Sequence, residues 1–286
     1  EAERTRGRFA TYTEEKIKRT ERGLNENAFP ATDWNNLLFK KSTAQQRVNV
    51  NVRGGGPKSQ YYVATSYTHD NGLIRSDPTN PFQSNVNLDR FLLRANVNIN
   101  LTPKTEMIVR LHSTLDNLKG PLQGGNAMYN AAVRTSPVRF APVIEPSGNL
   151  IGVPHITFGN DYGPRGGSNA GNEAAWFNPY AELQRGYRDS RRQLSLVQLE
   201  LNQKLDFITK GLAGRFLGNA NSTGYFESRR AYSPYFYRVS NYDQLNDSYS
   251  MIRTRIGLEA LQLEPGEREN KSTFYGQGAI DYSRSF

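Results

Sequence analysis

From Gln46 the chain alternates. Val48, Val50 and Val52 fall on one side of an extended segment, and Asn49, Asn51 and Arg53 on the other. Gly54-Gly55-Gly56-Pro57 then forces a turn. Tyr61, Val63, Thr65 and Tyr67, set against Gln60, Tyr62, Ala64 and Ser66, predict the return strand of a hairpin. The clearest run follows: Phe91, Leu93, Ala95, Val97, Ile99 and Leu101 alternate with Arg90, Leu92, Arg94, Asn96, Asn98 and Asn100. At ~3.3 Å per residue this apolar stripe is about 33 Å long, roughly twice a usual soluble strand. With strong strand tilt it matches the roughly 25 Å apolar band of an outer-membrane barrel. Thr102-Pro103-Lys104 makes the next turn. Met107, Val109, Leu111 and Leu115 return against Glu106, Arg110, His112 and Thr114, with Ile108 interrupting the polar side.

Residues 117–190 lack this period and carry Gly120-Pro121, Gly124-Gly125, Ser136-Pro137, Gly163-Pro164 and Gly166-Gly167. They read as one long loop with a short helix at residues 127–134, and a loop of that length calls for a function. Alternation returns at Val197, Leu199 and Leu201 against Gln198, Glu200, Asn202 and Lys204, turns over residues 206–211, and resumes more weakly at residues 212–221. A second long loop is predicted at residues 229–271, and a last strand at residues 272–286. Phe274, Ile280, Tyr282 and Phe286 lie on one of its faces, and Gln277, Asp281 and Ser283 on the other. Ahead of the strands, Thr11 followed by Glu14 resembles a capping box, and Gly23 closes a charged surface helix over residues 11–22. Trp34, Leu37, Leu38 and Phe39 form an apolar cluster.

The predicted connections alternate short and long without exception. Short turns on one side and long loops on the other characterise up-and-down outer-membrane barrels. The expected fold is therefore all-β: a segment of a large antiparallel transmembrane barrel. Residues 1–45 form an extracellular loop with a short helix, and residues 46–286 supply seven strands. An odd count starting outside is expected of a piece, not of a complete bacterial barrel.

Composition narrows the chemistry. Only 36% of the residues are hydrophobic, so a large soluble core is not expected, while 27 Asn and 25 Gly suit strands, turns and wet surfaces. Lys plus Arg outnumber Asp plus Glu by 36 to 27, a net charge of +9, yet no clustered basic motif of a nucleic-acid binder is present. With no Cys and three scattered His, thiol nucleophiles, Cys-ligated zinc and a His-built metal site drop out. Asn160, Asp161, Asn169, Asn172 and Glu173 do not have the spacing of a calcium loop. Nothing fixes two of Glu145, Asp161, Glu173 and Glu182 at a glycosidase separation. Gly54-Gly55-Gly56-Pro57-Lys58-Ser59 lacks phosphate-loop spacing and precedes a strand. No enzyme, cofactor or metal is expected.

Several stretches together resemble a known family. They are Thr32-Asp33-Trp34 with Leu37-Leu38-Phe39-Lys40, the segment Gln46-Arg47-Val48-Asn49-Val50-Asn51-Val52 with its glycines, Tyr61-Tyr62-Val63-Ala64, and Asp70-Asn71-Gly72. Residues 93–102, Gly120-Pro121 with Gly124-Gly125, and Arg134-Thr135-Ser136-Pro137-Val138 extend the match, with a weaker one at Tyr232-Ser233-Pro234-Tyr235. In this order they are similar to SusC/RagA-type TonB-linked outer-membrane transporters. The resemblance implies a barrel of about 22 strands around an N-terminal plug that is absent from this chain, which would supply about strands two to eight. It also implies import of nutrients such as oligosaccharides or peptides, energy from TonB, ExbB and ExbD reached through the plug, and a SusD-like surface lipoprotein as cap. The runner-up is a surface or secreted β-rich carbohydrate-binding module without transport.

Candidate site residues follow from both readings. Arg90, Arg94, Asn96, Asn98, Asn100, Arg110 and His112 would line the lumen, facing plug or substrate, although a wet barrel interior must be polar in any case. Trp34, Tyr129, Tyr162, Trp176, Phe177 and Tyr180 are candidates for ligand or partner contacts in the loops, set against simple loop packing or interfacial placement.

Overall fold

A computed structural model describes residues 12–78, 80–164 and 173–284. The first helix, α1 (Glu14–Glu21), is capped by Thr13, whose hydroxyl accepts from Lys16 N at 3.2 Å. The expected cap Thr11 lies outside the described residues. Gly23, at φ +64°, ends the helix as expected. Asp33 caps the short α2 (Trp34–Leu38) by accepting from Asn36 N at 3.0 Å. A meander then runs through β1 (Gln45–Gly55), β2 (Ser59–Asn71), β3 (Asn87–Thr102) and β4 (Thr105–Pro121). After α3 (Gly125–Arg134) come a 3-10 turn (Gly148–Leu150), three short strands, β5 (Phe158–Gly159), β6 (Tyr162–Pro164) and β7 (Glu173–Ala175), and α4 (Pro179–Gln184). Two very long strands, β8 (Gly186–Lys204) and β9 (Leu212–Ser233), are followed by β10 (Phe236–Asp243), β11 (Ser248–Arg255), β12 (Leu258–Glu264) and β13 (Arg268–Tyr282).

The main sheet is antiparallel in the order β1-β2-β3-β4-β8-β9, with β12 and β13 both on the far side of β9. β12 pairs with residues 229–233 of β9 and β13 with residues 212–226, so they act as one strand interrupted at residues 265–267. Seven strand positions result, and among the described residues the sheet does not close on itself. Register places chemically similar residues in rows. Val52, Val63, Ala95, Leu111, Val197, Ala220 and Phe274 stand side by side on one face. The neighbouring row on the opposite face reads Asn51, Ala64, Arg94, His112, Leu196, Asn221 and Thr273. The apolar face is bare: Val52 is 55% exposed, Val197 42% and Phe274 81%.

The buried core lies instead in the loops. Trp34, Leu38, Ile74, Met128, Ala132, Phe140 and Leu183 pack together from five separate segments. A second cluster joins Ala141 and Ile144 to Tyr237 and Met251. No helix among the described residues is long and apolar enough to cross a membrane, which says nothing of strands.

Several boundaries differ from the sequence expectation. β4 continues to Pro121 and β8 begins at Gly186, so the long loop is residues 122–185 and contains α3, α4 and short strands. The second long loop likewise holds the β10–β11 hairpin and β12, while the final strand begins at Arg268. The first extension has a local cause. The upper half of β8, Arg188-Asp189-Ser190-Arg191-Arg192-Gln193, is polar on both sides, so pairing there is set by neighbouring strands and not by an alternating apolar signal. Phe286 lies outside the described residues.

Candidate functional site

Strand alternation and register bring the seven sequence-selected polar residues onto one face. Arg94 stands opposite His112, Asn96 opposite Arg110, Asn98 opposite Ile108, and Asn100 opposite Glu106. Arg94, Asn96, Arg110 and His112 line a groove of about 660 Å³, whose far wall is Gln198, Asn219 and Asn221 from β8 and β9. Arg90 is not in that groove. Its guanidinium forks onto Asp116, with Nε and Nη2 donating at 2.8 and 3.0 Å. Asn98 stands beside the buried Ile108 of β4.

Nearer the short turns a second groove of about 530 Å³ gathers Asn100, Lys104, Glu106, Glu200, Lys204 and Arg215. Asn202 there donates to Glu106 Oε2 at 3.3 Å and to Glu200 Oε1 at 3.2 Å. Glu200 also faces Arg110 across 3.9 Å. Sequence reading passed over Glu106, Glu200 and Asn202 as site residues. Their alternation on strands whose other face is apolar was the available signal. The second groove carries opposed charges joined by the Asn202 amide, whereas the first sets Arg94 and Arg110 among amides beside the apolar Leu196; both offer hydrogen-bonding groups to a polar partner.

At the long-loop end the aromatic residues divide. Trp34 is 3% exposed, stands edge-on to Phe140 at 5.9 Å, and donates Nε1–H to Ser136 O at 3.3 Å, so it holds the loops together and offers no surface to a ligand. Tyr180 lies against Phe158 and donates its hydroxyl to Asp77. Burial, followed by that carboxylate, pushes its phenol well above the ordinary value. Trp176 is covered on one face by Arg139, whose guanidinium carbon is 4.0 Å from a ring centroid, and Arg139 in turn reaches Asp161 at 3.4 Å. Lys16 docks on the same wall, donating to Arg139 O at 3.4 Å. Burial lowers its ammonium pKa, with Asp161 opposing the shift and Arg139 adding to it. Tyr129 and Phe177 are the open ones, at 56% and 40% exposure, with Tyr129 tilted against Phe39. Tyr162 lies in β6, paired with Ala175 of β7. Among the described residues no group of three His, Asp or Glu is placed to hold a metal ion.

No protein-family model matches the chain, and no curated protein does. Solved structures do. The RagAB peptide transporter matches at 14% identity and TM-score 0.47, covering 95% of this chain and 36% of that one. The RagAB peptide importer matches in its closed-closed state at 14% identity and TM-score 0.49, covering 99% and 37%, and in its open-open state at 17% and 0.46, covering 78% and 24%. This chain thus spans between 24% and 37% of the length of those chains, and their activity and assembly are properties of longer proteins.

Proposed function

We propose that the chain forms part of the barrel wall of an outer-membrane active importer. The observation carrying this reading is the pair of faces on one sheet: a bare apolar face and a grooved polar one. Phe91 to Leu101 spans about 33 Å along β3, which a tilt of about 40° reduces to about 25 Å, the height of an outer-membrane apolar band. Tyr67 and Phe91 pair at one end of that band, with ring centroids 4.9 Å apart, as interfacial aromatic residues do. Beyond them the same face turns polar at His69, Asp89, Asn117 and Arg191. A soluble module would need a second layer over Val48, Val50, Val52 and Phe274, all of which are exposed.

In this reading the short turns at residues 56–58, 103–104 and 205–211 face the periplasm and the folded loops form an extracellular cap. The polar grooves would hold a plug or pass an oligosaccharide or peptide. A SusD-like lipoprotein would sit over the cap, and TonB, ExbB and ExbD would act through a plug elsewhere in the protein. The chain is then transport machinery and not an enzyme. The test is to express the intact protein from its gene. Carbonate-resistant membrane association, heat-modifiable migration and TonB-dependent uptake are the expected results. Extraction by salt alone would reject the barrel and favour a surface binding module.

A further inference from the structure

On the outward, apolar face the stripe of hydrophobic residues stops earlier on β8 and β13 than on β3. There β8 presents Leu201, Leu199 and Val197, then Ser195, Gln193 and Arg191, while β13 presents Ile280 and Phe274, then Ser272, Asn270 and Arg268. We propose that this flank of the sheet binds the phosphorylated sugar headgroup of a glycolipid in the leaflet on the long-loop side. The inference rests on the importer reading, which puts this face in lipid.

Charge is sorted between the two faces. On the inward face the cations near the loop ends of β8 and β9 meet acids: Arg188 faces Glu227 at 3.7 Å, and Arg229 faces Glu227 and Glu264, each at 3.8 Å. On the outward face Arg191 and Arg268 flank Phe226 in one row. Both are exposed, and neither has a carboxylate partner among the described residues. Arg191 donates Nε–H to Asn117 Oδ1 at 3.0 Å, and the Arg268 guanidinium leans over Phe226, its carbon 5.0 Å from the ring centroid. Asp189, the outward acid of β8, stands opposite Lys119. With strands ~4.8 Å apart, the two arginine backbones are about 10 Å apart across Phe226, close enough for both guanidinium groups to serve one phosphorylated headgroup. Height selects the kind of lipid. From Val197 to Arg191, and from Phe274 to Arg268, the surface runs about 20 Å along the strand, which is about 15 Å along the membrane normal after a tilt of about 40°. A phospholipid headgroup layer is only about 5–8 Å thick. The exposed amides of Gln193 and Asn270 lie in that interval, where sugar hydroxyls can bond to them and acyl chains would leave them unsatisfied.

The test uses the intact membrane protein in detergent, with affinity read from the fluorescence anisotropy of a labelled short-core lipopolysaccharide. This probe is expected to bind, and removing its phosphates should weaken it about tenfold or more. Arg191→Gln and Arg268→Gln should each weaken the phosphorylated probe about three- to tenfold and leave the dephosphorylated one unchanged. Lys18→Gln, which removes one charge from the exposed face of α1, should change neither. Heat-modifiable migration is checked for every variant. A protein that migrates as a folded barrel yet does not bind the probe overturns the glycolipid site and leaves the importer reading standing. A wild-type protein that never inserts overturns both. Displacement of the probe by an equal concentration of phosphatidic acid or inorganic phosphate would assign the arginines to phosphate from another source and overturn the glycolipid. A loss in Lys18→Gln as large as in Arg191→Gln would reduce the effect to net charge and overturn the site as well.

Discussion

Replacing Val197 by Arg tests the two-faced sheet directly. Val197 is outward, 42% exposed, and shares a row with Ala95 and Leu111. If the band runs from the Phe91 row to the Leu101 row, its midplane crosses β3 at Asn96. The Val197 row then lies one residue away, about 2.5 Å from the midplane after a tilt of about 40°. Leu201, in the row of Ile99, is three residues away, about 7.6 Å. An Arg facing lipid costs about 2–4 kcal/mol at the midplane and falls towards zero at the interface. Val197→Arg should therefore lower the folded-to-unfolded ratio about 30- to 700-fold. Leu201→Arg should cost clearly less. Gln198→Arg, on the grooved face, should stay within about 0.5 kcal/mol. Equilibrium folding of the intact protein into lipid vesicles, followed across a urea series, gives all three values. Equal losses at Val197 and Leu201, or a loss at Gln198 as large as at Val197, would refute the reasoning, because a dry protein interface has no depth gradient of this kind.

The cap makes further predictions. Trp34→Ala empties the centre of the first buried cluster and should cost about 3–5 kcal/mol of cap stability, read as faster limited proteolysis of residues 122–185 while the barrel strands stay protected. Gly159→Ala would place a methyl 1.8 Å from Ala141 O, so β5 must move, with a cost of about 1–3 kcal/mol measured by the same cleavage assay. Tyr180 has a raised folded-state pKa, so its contribution is complete below the ordinary value of 10.0 and is lost as pH rises above it, when the unfolded phenol ionises first. Cap protection should decline between about pH 10 and 11 in the wild type, and Tyr180→Phe should remove that part of the decline. An unchanged profile would discount the role of Tyr180.

Much of the sheet was legible in the sequence because strand alternation is local. Once residues 88–101 are extended, Arg94, Asn96, Asn98 and Asn100 must share a side, whatever they meet there. Turn positions were equally local: Gly211, at φ +85°, ends the loop that Asp206 closes by accepting from Gly211 N at 3.0 Å. The upper half of β8 escaped because above the apolar band both of its faces are polar, and only pairing with the neighbouring strands defines it.

The sequence by itself thus determined the period, the faces and the order of short and long connections. Tertiary structure alone decided which of the polar residues meet. It paired Arg90 with Asp116, set Glu200 beside Arg110, and buried Trp34 against Phe140 from a distant loop. It alone set Arg191 and Arg268 on either side of Phe226. The physical reason is that periodicity belongs to a single strand, whereas burial, ion pairing and cavity formation depend on segments far apart in the chain, whose meeting no local pattern encodes.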